Sequence, residues 1–483
     1  MPRDAMRPDA ATPDAVTPAD AVPAARAGVL DLRVPRRVHV IGVGGAGMSA
    51  IATVLAAMGH TVSGSDLQAS PVIERLRGQG VTVAIGHAAA NVAGADIVTA
   101  SPAVAADNVE MAEAVRLAIP VARRGEMLAA IADTRRSVAV AGTHGKTTTS
   151  SMLSLMLVEA GLRPSFLIGA DVGDLATNAV WDSGHFLVLE ADESYGTFAA
   201  LRPELTVLTN VEPDHLDHYG TVEVLERAFA ELLAHTAGRV IAAADDPVAA
   251  ALARARGGVL VGEAEGADFR VRNLRLARSA LSFRLDAVGG PVGELSVPVP
   301  GRFNAANAAL AAVAALELGV PFDALARALA RFTGVPRRFE FRGEAGGVTF
   351  VDDYAHLPGE VRAALAAARS GAWDRVVAVF QPHRFTRTAS LAASFAEAFA
   401  DADVLVVTDV YRAFETPVPG VSGRLVADAV TARHPELAVS YAPSRDELRR
   451  AVAGVLRPGD LCLTLGAGDL TTLPDELMAA PSW

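Results

Sequence analysis

An apolar, strand-like run at 138–141 leads directly into Gly142-Thr143-His144-Gly145-Lys146-Thr147-Thr148, and an apolar helical pattern follows at 152–158. Glycines at such a junction let backbone N–H groups close around a phosphate. The helix N-terminus adds positive potential, and Lys146, on an accessible loop, brings a mobile point charge. The Thr147 hydroxyl then stands where a magnesium ion on the phosphates would be held. The general phosphate loop, G-x-x-x-x-G-K-[ST], needs glycine at 140, where this chain has Val140; the motif is the tighter G-x-x-G-K-T. A second apolar run, 186–189, delivers Glu190, Asp192, Glu193 and Ser194. Carboxylates at the end of a buried strand beside a phosphate cradle are magnesium partners. A third run, 205–208, delivers Thr209, Asn210, Glu212, Asp214, His215 and Asp217, and a histidine between two aspartates marks a site rather than a plain surface turn. Asn304 and Asn307 open an alanine-rich helix on one face of its first turn, a spacing equally compatible with capping and with nucleotide contact.

These residues need elements to carry them. At the N-terminal end, a strand at 37–41 runs into Gly42-Val43-Gly44-Gly45-Ala46-Gly47, then a helix at 48–58 and a strand at 60–63 that ends on Gly64, Ser65 and Asp66. This is a βαβ unit with G-x-G-x-x-G and an acid twenty-four residues after the first glycine, suited to a dinucleotide or to any diphosphate. Short strands at 82–85 and 97–99, the latter followed by Ser101, extend it. In the last third, strands at 348–351, 376–380, 404–407 and 461–465 alternate with helical stretches and imply a parallel, doubly wound sheet. Ligands bind beyond the carboxyl ends of such strands. Those ends carry Asp352, Asp353, Tyr354 and His356, then Gln381, His383, Arg384 and Arg387, then Asp409, then Gly466, Gly468 and Asp469. Two arginines and a histidine at one edge suit a carboxylate or a phosphate.

A chain of 483 residues is too long for one core and implies about three domains. We divide it into a disordered tail (1–35) and domains at 36–134, 135–332 and 333–483. No internal repeat is evident, although the first and last domains share a Rossmann-like strand–helix rhythm. A net charge of −12 argues against nonspecific binding to nucleic acid or anionic membranes, so an anionic substrate must be held by local pockets. The single cysteine, Cys462, lies in an apolar strand-like run and cannot form a disulfide within the chain. No stretch has the apolar length of a membrane span or a signal peptide, and a cytoplasmic location is expected. Nothing in the sequence sets an oligomeric state.

In this order the motifs resemble the Mur ligases of peptidoglycan synthesis over about residues 36–475. The resemblance rests on Gly42 to Ser49, Ser63 to Asp66, Gly142 to Thr148, Glu190 to Ser194, Glu212 to His215, Arg337 to Phe339, Asp352 to Tyr354 and Phe380 to Arg384. It implies an α/β chain of three domains: Rossmann-like, P-loop-type ATPase and Rossmann-like. It implies an ATP-dependent ligase that converts the lactyl carboxylate of UDP-N-acetylmuramate to an acyl phosphate, which the amine of L-alanine attacks. By resemblance the first domain holds the UDP-sugar through Gly44, Gly45, Gly47, Met48, Ser49, Asp66 and Ser101. The second binds ATP through Gly142, Thr143, His144, Gly145, Lys146, Thr147 and Thr148, with Asn304 and Asn307 on the adenine and Arg337 on the phosphates. Two magnesium ions are implied, one shared by Thr147 and Glu190 and one by Glu190 and His215, and Mn2+ is expected to substitute. The third domain supplies the amino-acid site from Tyr354, His356, His383, Arg384 and Arg387. Lys146, Glu190, His215, His356, Arg384 and Arg387 are the catalytic set.

Two positions depart from the family pattern: Leu357 stands where the second histidine of a His-His-Pro run is usual, and Phe303 replaces the histidine of His-Asn-x-x-Asn. Phe229 stands where family members that add later residues have a lysine, carbamylated in them, which favours the alanine-adding branch. The competing readings are a recycling ligase that attaches a whole peptide to the same sugar, a nicotinamide-dependent oxidoreductase built on the first domain, and a non-catalytic nucleotide-binding protein. The oxidoreductase leaves the G-x-x-G-K-T cradle unexplained. Intact Lys146, Thr147, Glu190 and His215 argue against a non-catalytic role.

Overall fold

The computed structural model describes residues 30–105, 107–413 and 415–479, the side chain of Asp217 excepted. The tail expected at 1–35 therefore lies outside the described residues as far as 29. Beyond that point Leu32 is buried in the first core and Arg33 donates to the Asp133 carbonyl at 2.8 Å, so residues 30–35 belong to the fold.

Three sheets carry the chain. The first has five parallel strands in the order Thr82–Ile85, Thr61–Asp66, Arg37–Ile41, Ile97–Ala100 and Val121–Arg123. The second has ten, with the cradle strand Arg136–Ala141 near its middle between Leu205–Leu208 and Phe186–Ala191. Its parallel centre is flanked by antiparallel strands, Phe269–Leu276 through Gly290–Val297 on one side and Thr177–Val180 on the other. The third has six strands and is parallel except for the edge strand Glu340–Ala345, which pairs antiparallel with Val348–Asp353. The central strands are apolar without alternation because helices cover both faces, leaving neither side to water. Among the described residues no helix is long and apolar enough to cross a membrane.

Two helices position the chemistry. The cradle helix, Lys146–Glu159, is buried from Thr148 to Leu157, and two of its serines turn their hydroxyls back on the helix: Ser150 Oγ donates to the Lys146 carbonyl at 2.9 Å and Ser151 Oγ to the Thr147 carbonyl at 2.5 Å. Against it lies Arg302–Glu317, buried from Asn307 through Ala315 in a run of mostly alanines. Small side chains let the two backbones approach closely. The cradle helix starts at Lys146, six residues before the apolar pattern suggested, with Gly145 (φ 81°) as its N-cap. Lys146 is thus a largely buried first-turn residue rather than one on an accessible loop. The strand expected at 186–189 continues to Ala191, which pairs Glu190 with Val140 of the cradle strand.

Candidate active site

The cradle is built from close backbone approaches. A Cβ on Gly142 (φ 127°) would stand 2.1 Å from Thr209 Oγ1, and one on Gly145 would stand 2.5 Å from Asn307 Oδ1. Only glycine fits either place. The residues after the Leu205–Leu208 strand brace the loop from below. His144 N donates to Asn210 Oδ1 at 2.9 Å, Thr209 Oγ1 donates to the His144 carbonyl at 2.5 Å, and Glu212 N donates to Thr143 Oγ1 at 2.9 Å.

Lys146 Nζ reaches the Gly142 carbonyl at 2.6 Å and Glu193 at 2.9 and 3.1 Å. Burial alone would lower its pKa, yet Glu193, Asp192 and Glu190 outweigh burial and hold the lysine above its usual value. Glu190 accepts from Gly169 N at 2.5 Å and from the Thr147 hydroxyl, and burial raises its pKa. Thr147 and Glu190 are therefore adjacent oxygen donors of the kind a hard divalent cation takes. Among the described residues no cluster of three or more His, Cys, Asp or Glu side chains surrounds one metal position. His215, expected to share a second ion with Glu190, is a left-handed residue (φ 52°) whose Nε2 lies 3.5 Å from Asp214 Oδ2, at the edge of a further group.

That group spans the cleft to the last domain. Arg387 Nη2 donates to Asp214 Oδ1 at 2.9 Å, and its Nη1 lies 3.2 Å from His383 Nδ1. The His356 ring packs 5.4 Å from Tyr354 and 5.2 Å from His383. Burial and neighbouring cations lower both histidines, His356 to about 4 and His383 to about 3, so both are neutral at neutral pH. His356 Nδ1 is 3.3 Å from Glu360, but this is no salt bridge: the ring nitrogen faces the Tyr354 carbonyl at 3.0 Å, and Arg387 disfavours a second proton. Arg384 takes a left-handed backbone (φ 68°), and its buried Nε has no partner among the described residues. A buried donor left open at a strained residue is a ready place for an anion.

A cavity of about 210 Å³ lies between the cradle and the last domain, lined on one side by Gly145, Thr147, Thr148 and Asn307, on the other by Arg338 and Glu360, with Phe303 and Leu310 as apolar walls. Across it His144 stands 3.1 Å from Glu360 Oε1 and 3.4 Å from Glu212 Oε2, at angles that make ion pairs rather than hydrogen bonds. Burial opposes the charge, but the two carboxylates raise His144 to about 9, and Glu360 is held well below the usual carboxylate range.

Three Mur ligase domain families match the chain: the Mur ligase family catalytic domain over residues 37–136, the Mur ligase middle domain over 140–315, and the Mur ligase glutamate ligase domain over 337–468. The chain belongs to the Mur ligase family. A UDP-N-acetylmuramate–L-alanine ligase from Anaeromyxobacter sp. (strain Fw109-5) is 45% identical over 450 residues, covering 92% of this Mur ligase and 97% of that one. The enzyme of that name from Geobacter sp. (strain M21) is 43% identical over 92% and 97%. Among solved structures, a UDP-N-acetylmuramate-alanine ligase from Thermotoga maritima aligns with a TM-score of 0.75 and 28% identity over 92% of this chain and 98% of that one. The family's α/β architecture is the one described above, with Rossmann-like outer domains around a P-loop-type middle domain.

Several residues expected in this Mur ligase's sites are turned to other work. Arg337, expected on the ATP phosphates, points into its own domain: Nη2 donates to the Gly466 and Gly468 carbonyls at 2.7 and 3.1 Å, and the guanidinium stacks on Tyr354. Its neighbour Arg338 lines the cavity beside the cradle instead. Asn304 neither caps its helix, whose N-cap is Gly301, nor lines the cavity; its Nδ2 donates back to the Pro300 carbonyl at 2.7 Å. Met48 is a core residue, and the buried Ser49 Oγ donates to the Ala46 carbonyl at 3.0 Å. Asp66 Oδ2 accepts from Gly44 N at 2.8 Å and so shapes the glycine turn. Ser101 lines the cavity beside that turn. Sequence reasoning missed Glu360, because an acid in a helix's first turn reads as a cap. It also missed Arg124, which carries no motif of its own, and gave the ligand-facing role in the Arg337-Arg338-Phe339 run to Arg337 rather than Arg338.

Proposed function

We infer that this Mur ligase joins L-alanine to the lactyl carboxylate of UDP-N-acetylmuramate at the expense of ATP, releasing ADP and phosphate. The observation that carries this reading is a cavity between the phosphate cradle and the last domain's Arg338 and Glu360, with the His144–Glu360 and Arg387–Asp214 contacts tying the two domains together beside the paired rings of His356 and His383. Relatives with that named activity, about 45% identical along nearly their whole length, support it over the peptide-recycling alternative. In this reading domains 36–134, 135–332 and 333–483 hold sugar nucleotide, ATP and amino acid in turn.

A carboxylate is a poor acylating agent, so the γ-phosphate must first be transferred to it, bringing two anions together. Lys146 offsets that charge from within the cradle, and Thr147 with Glu190 would hold a magnesium ion, which spreads negative charge over the phosphates. A second ion, shared by Glu190 and His215, and replacement by Mn2+ are part of the proposal. Arg384 would fix the alanine carboxylate through its open buried donor. The neutral ring of His356, whose Nδ1 donates to the Tyr354 carbonyl, leaves Nε2 to accept a hydrogen bond from the amine and keep its lone pair aimed at the acyl carbon, while His383 Nδ1 is taken by Arg387. Contacts across the cleft exclude water, which would otherwise hydrolyse the acyl phosphate. The test is ADP release with UDP-N-acetylmuramate, ATP and a panel of L-alanine, glycine, L-serine and an alanyl-glutamyl tripeptide. L-Alanine should give the highest kcat/KM; turnover with the tripeptide alone would assign the recycling role instead.

A further inference from the structure

The first and middle domains enclose a cavity of about 520 Å³ beside the glycine turn, and Arg124 lines it. Arg124 opens the Arg124–Ala132 helix, with its side chain 24% exposed. Two observations fix where its guanidinium stands. A Cβ built on Gly47 would lie 3.0 Å from Arg124 Cζ and 3.2 Å from Nε, so the fork rests directly on the turn that begins the Ala46–Ala57 helix. On its other side Nη2 donates to Asp192 Oδ2 at 3.2 Å, across the boundary between the domains.

A diphosphate on the glycine turn would meet backbone N–H groups from the helix start, which hold any phosphate alike, and one planar cation that can take two oxygens at once. Asp192 restrains that cation from one side and aims the rest of the fork at the turn. We propose that Arg124 is a specificity-determining residue of this ligase that grips the diphosphate of the nucleotide sugar over the glycine turn, positioned by Asp192. This rests on the UDP-sugar reading of the first domain and adds the group that distinguishes a diphosphate from a neutral nucleoside there.

Binding of UDP and of uridine, measured by calorimetry on the full chain, separates the two ideas. Arg124→Ala should weaken UDP at least tenfold, leave uridine unchanged, and raise the KM for UDP-N-acetylmuramate with the KM for ATP within twofold. Arg124→Lys should recover part of the loss, since it keeps charge but not the fork; should the alanine variant fail to fold, the lysine variant reads the same split. Equal loss of UDP and uridine, or unchanged UDP binding in a folded Arg124→Ala chain, overturns the proposal. Absence of UDP binding by the wild-type chain would instead refute the UDP-sugar reading beneath it.

Discussion

Lys146 carries its charge in a nearly dry setting, compensated by Glu193 and Asp192 rather than by water. Removing it therefore does two things. Lys146→Ala should abolish most ADP release, a loss of about 3 kcal/mol or more in transition-state stabilisation. It should also lower the unfolding temperature, because breaking a buried pair from one side costs about 3–5 kcal/mol. Near wild-type ADP release from the folded variant would end the phosphate-cradle assignment. The two acceptor-side arginines should separate in the same way. Arg384 has an open buried donor, so Arg384→Ala should raise the KM for L-alanine about 10- to 100-fold and leave the other two substrates nearly unaffected, as loss of a charge-assisted hydrogen bond predicts. Arg387 is tied to Asp214 across the cleft, and Arg387→Ala should disturb all three KM values. Steady-state kinetics that reverse these two patterns would exchange their roles.

At the scale of elements, the cradle depends on a strand, a loop and a helix that meet within ordinary contact distance. Gly142→Ala adds a methyl 2.1 Å from Thr209 Oγ1 at a backbone angle that alanine resists, and should cost at least about 2 kcal/mol of stability together with ATP binding. Chemical denaturation with and without ATP checks both; an unchanged midpoint would mean that the loop relaxes freely. The same elements explain which expectations failed. Apolar patterning located the central strands to within a few residues because burial on both faces leaves little freedom in their composition. It misplaced the start of the cradle helix because that first turn is polar: Lys146, Thr147, Thr148 and Thr149 break the apolar pattern, although the last two are buried.

Across the whole molecule, ion pairs join the domains: Arg124–Asp192 and Arg75–Asp171 between first and middle, His144–Glu360 and Arg387–Asp214 between middle and last. His144 gives the last junction a pH dependence. It faces Glu212 and Glu360, with Arg338 beside Glu360 and Arg362 near Glu212. Its folded pKa of about 9 exceeds the usual 6.5, so this stabilisation, on the order of 3 kcal/mol, is fully present below pH 6.5 and lost as pH rises through 9. His356 and His383 act in the opposite sense. Kept neutral in the fold with pKa values of about 4 and 3, they remove stability as pH falls from 6.5 toward those values. The unfolding temperature should therefore be highest near pH 6.5, and His144→Gln should flatten its alkaline limb. An alkaline limb unaltered in that variant would show that the His144 contact does not hold the domains.

The sequence by itself determined the three-domain α/β plan, the phosphate cradle and the ligase family, because glycine turns, Lys-Thr at a strand end and strand-end carboxylates are local requirements written at fixed spacings. What each polar residue touches was decided only by the tertiary structure. Arg337 and Arg338 are adjacent and chemically identical, yet a left-handed backbone at Arg337 sends it to the Gly466 and Gly468 carbonyls while Arg338 lines the cavity beside the cradle. Asn304 and Asn307 share a helical face, but only Asn307 reaches the cradle. Glu360 and Arg124 become part of the site only through partners 216 and 68 residues away, His144 and Asp192, and no local pattern records such a distance.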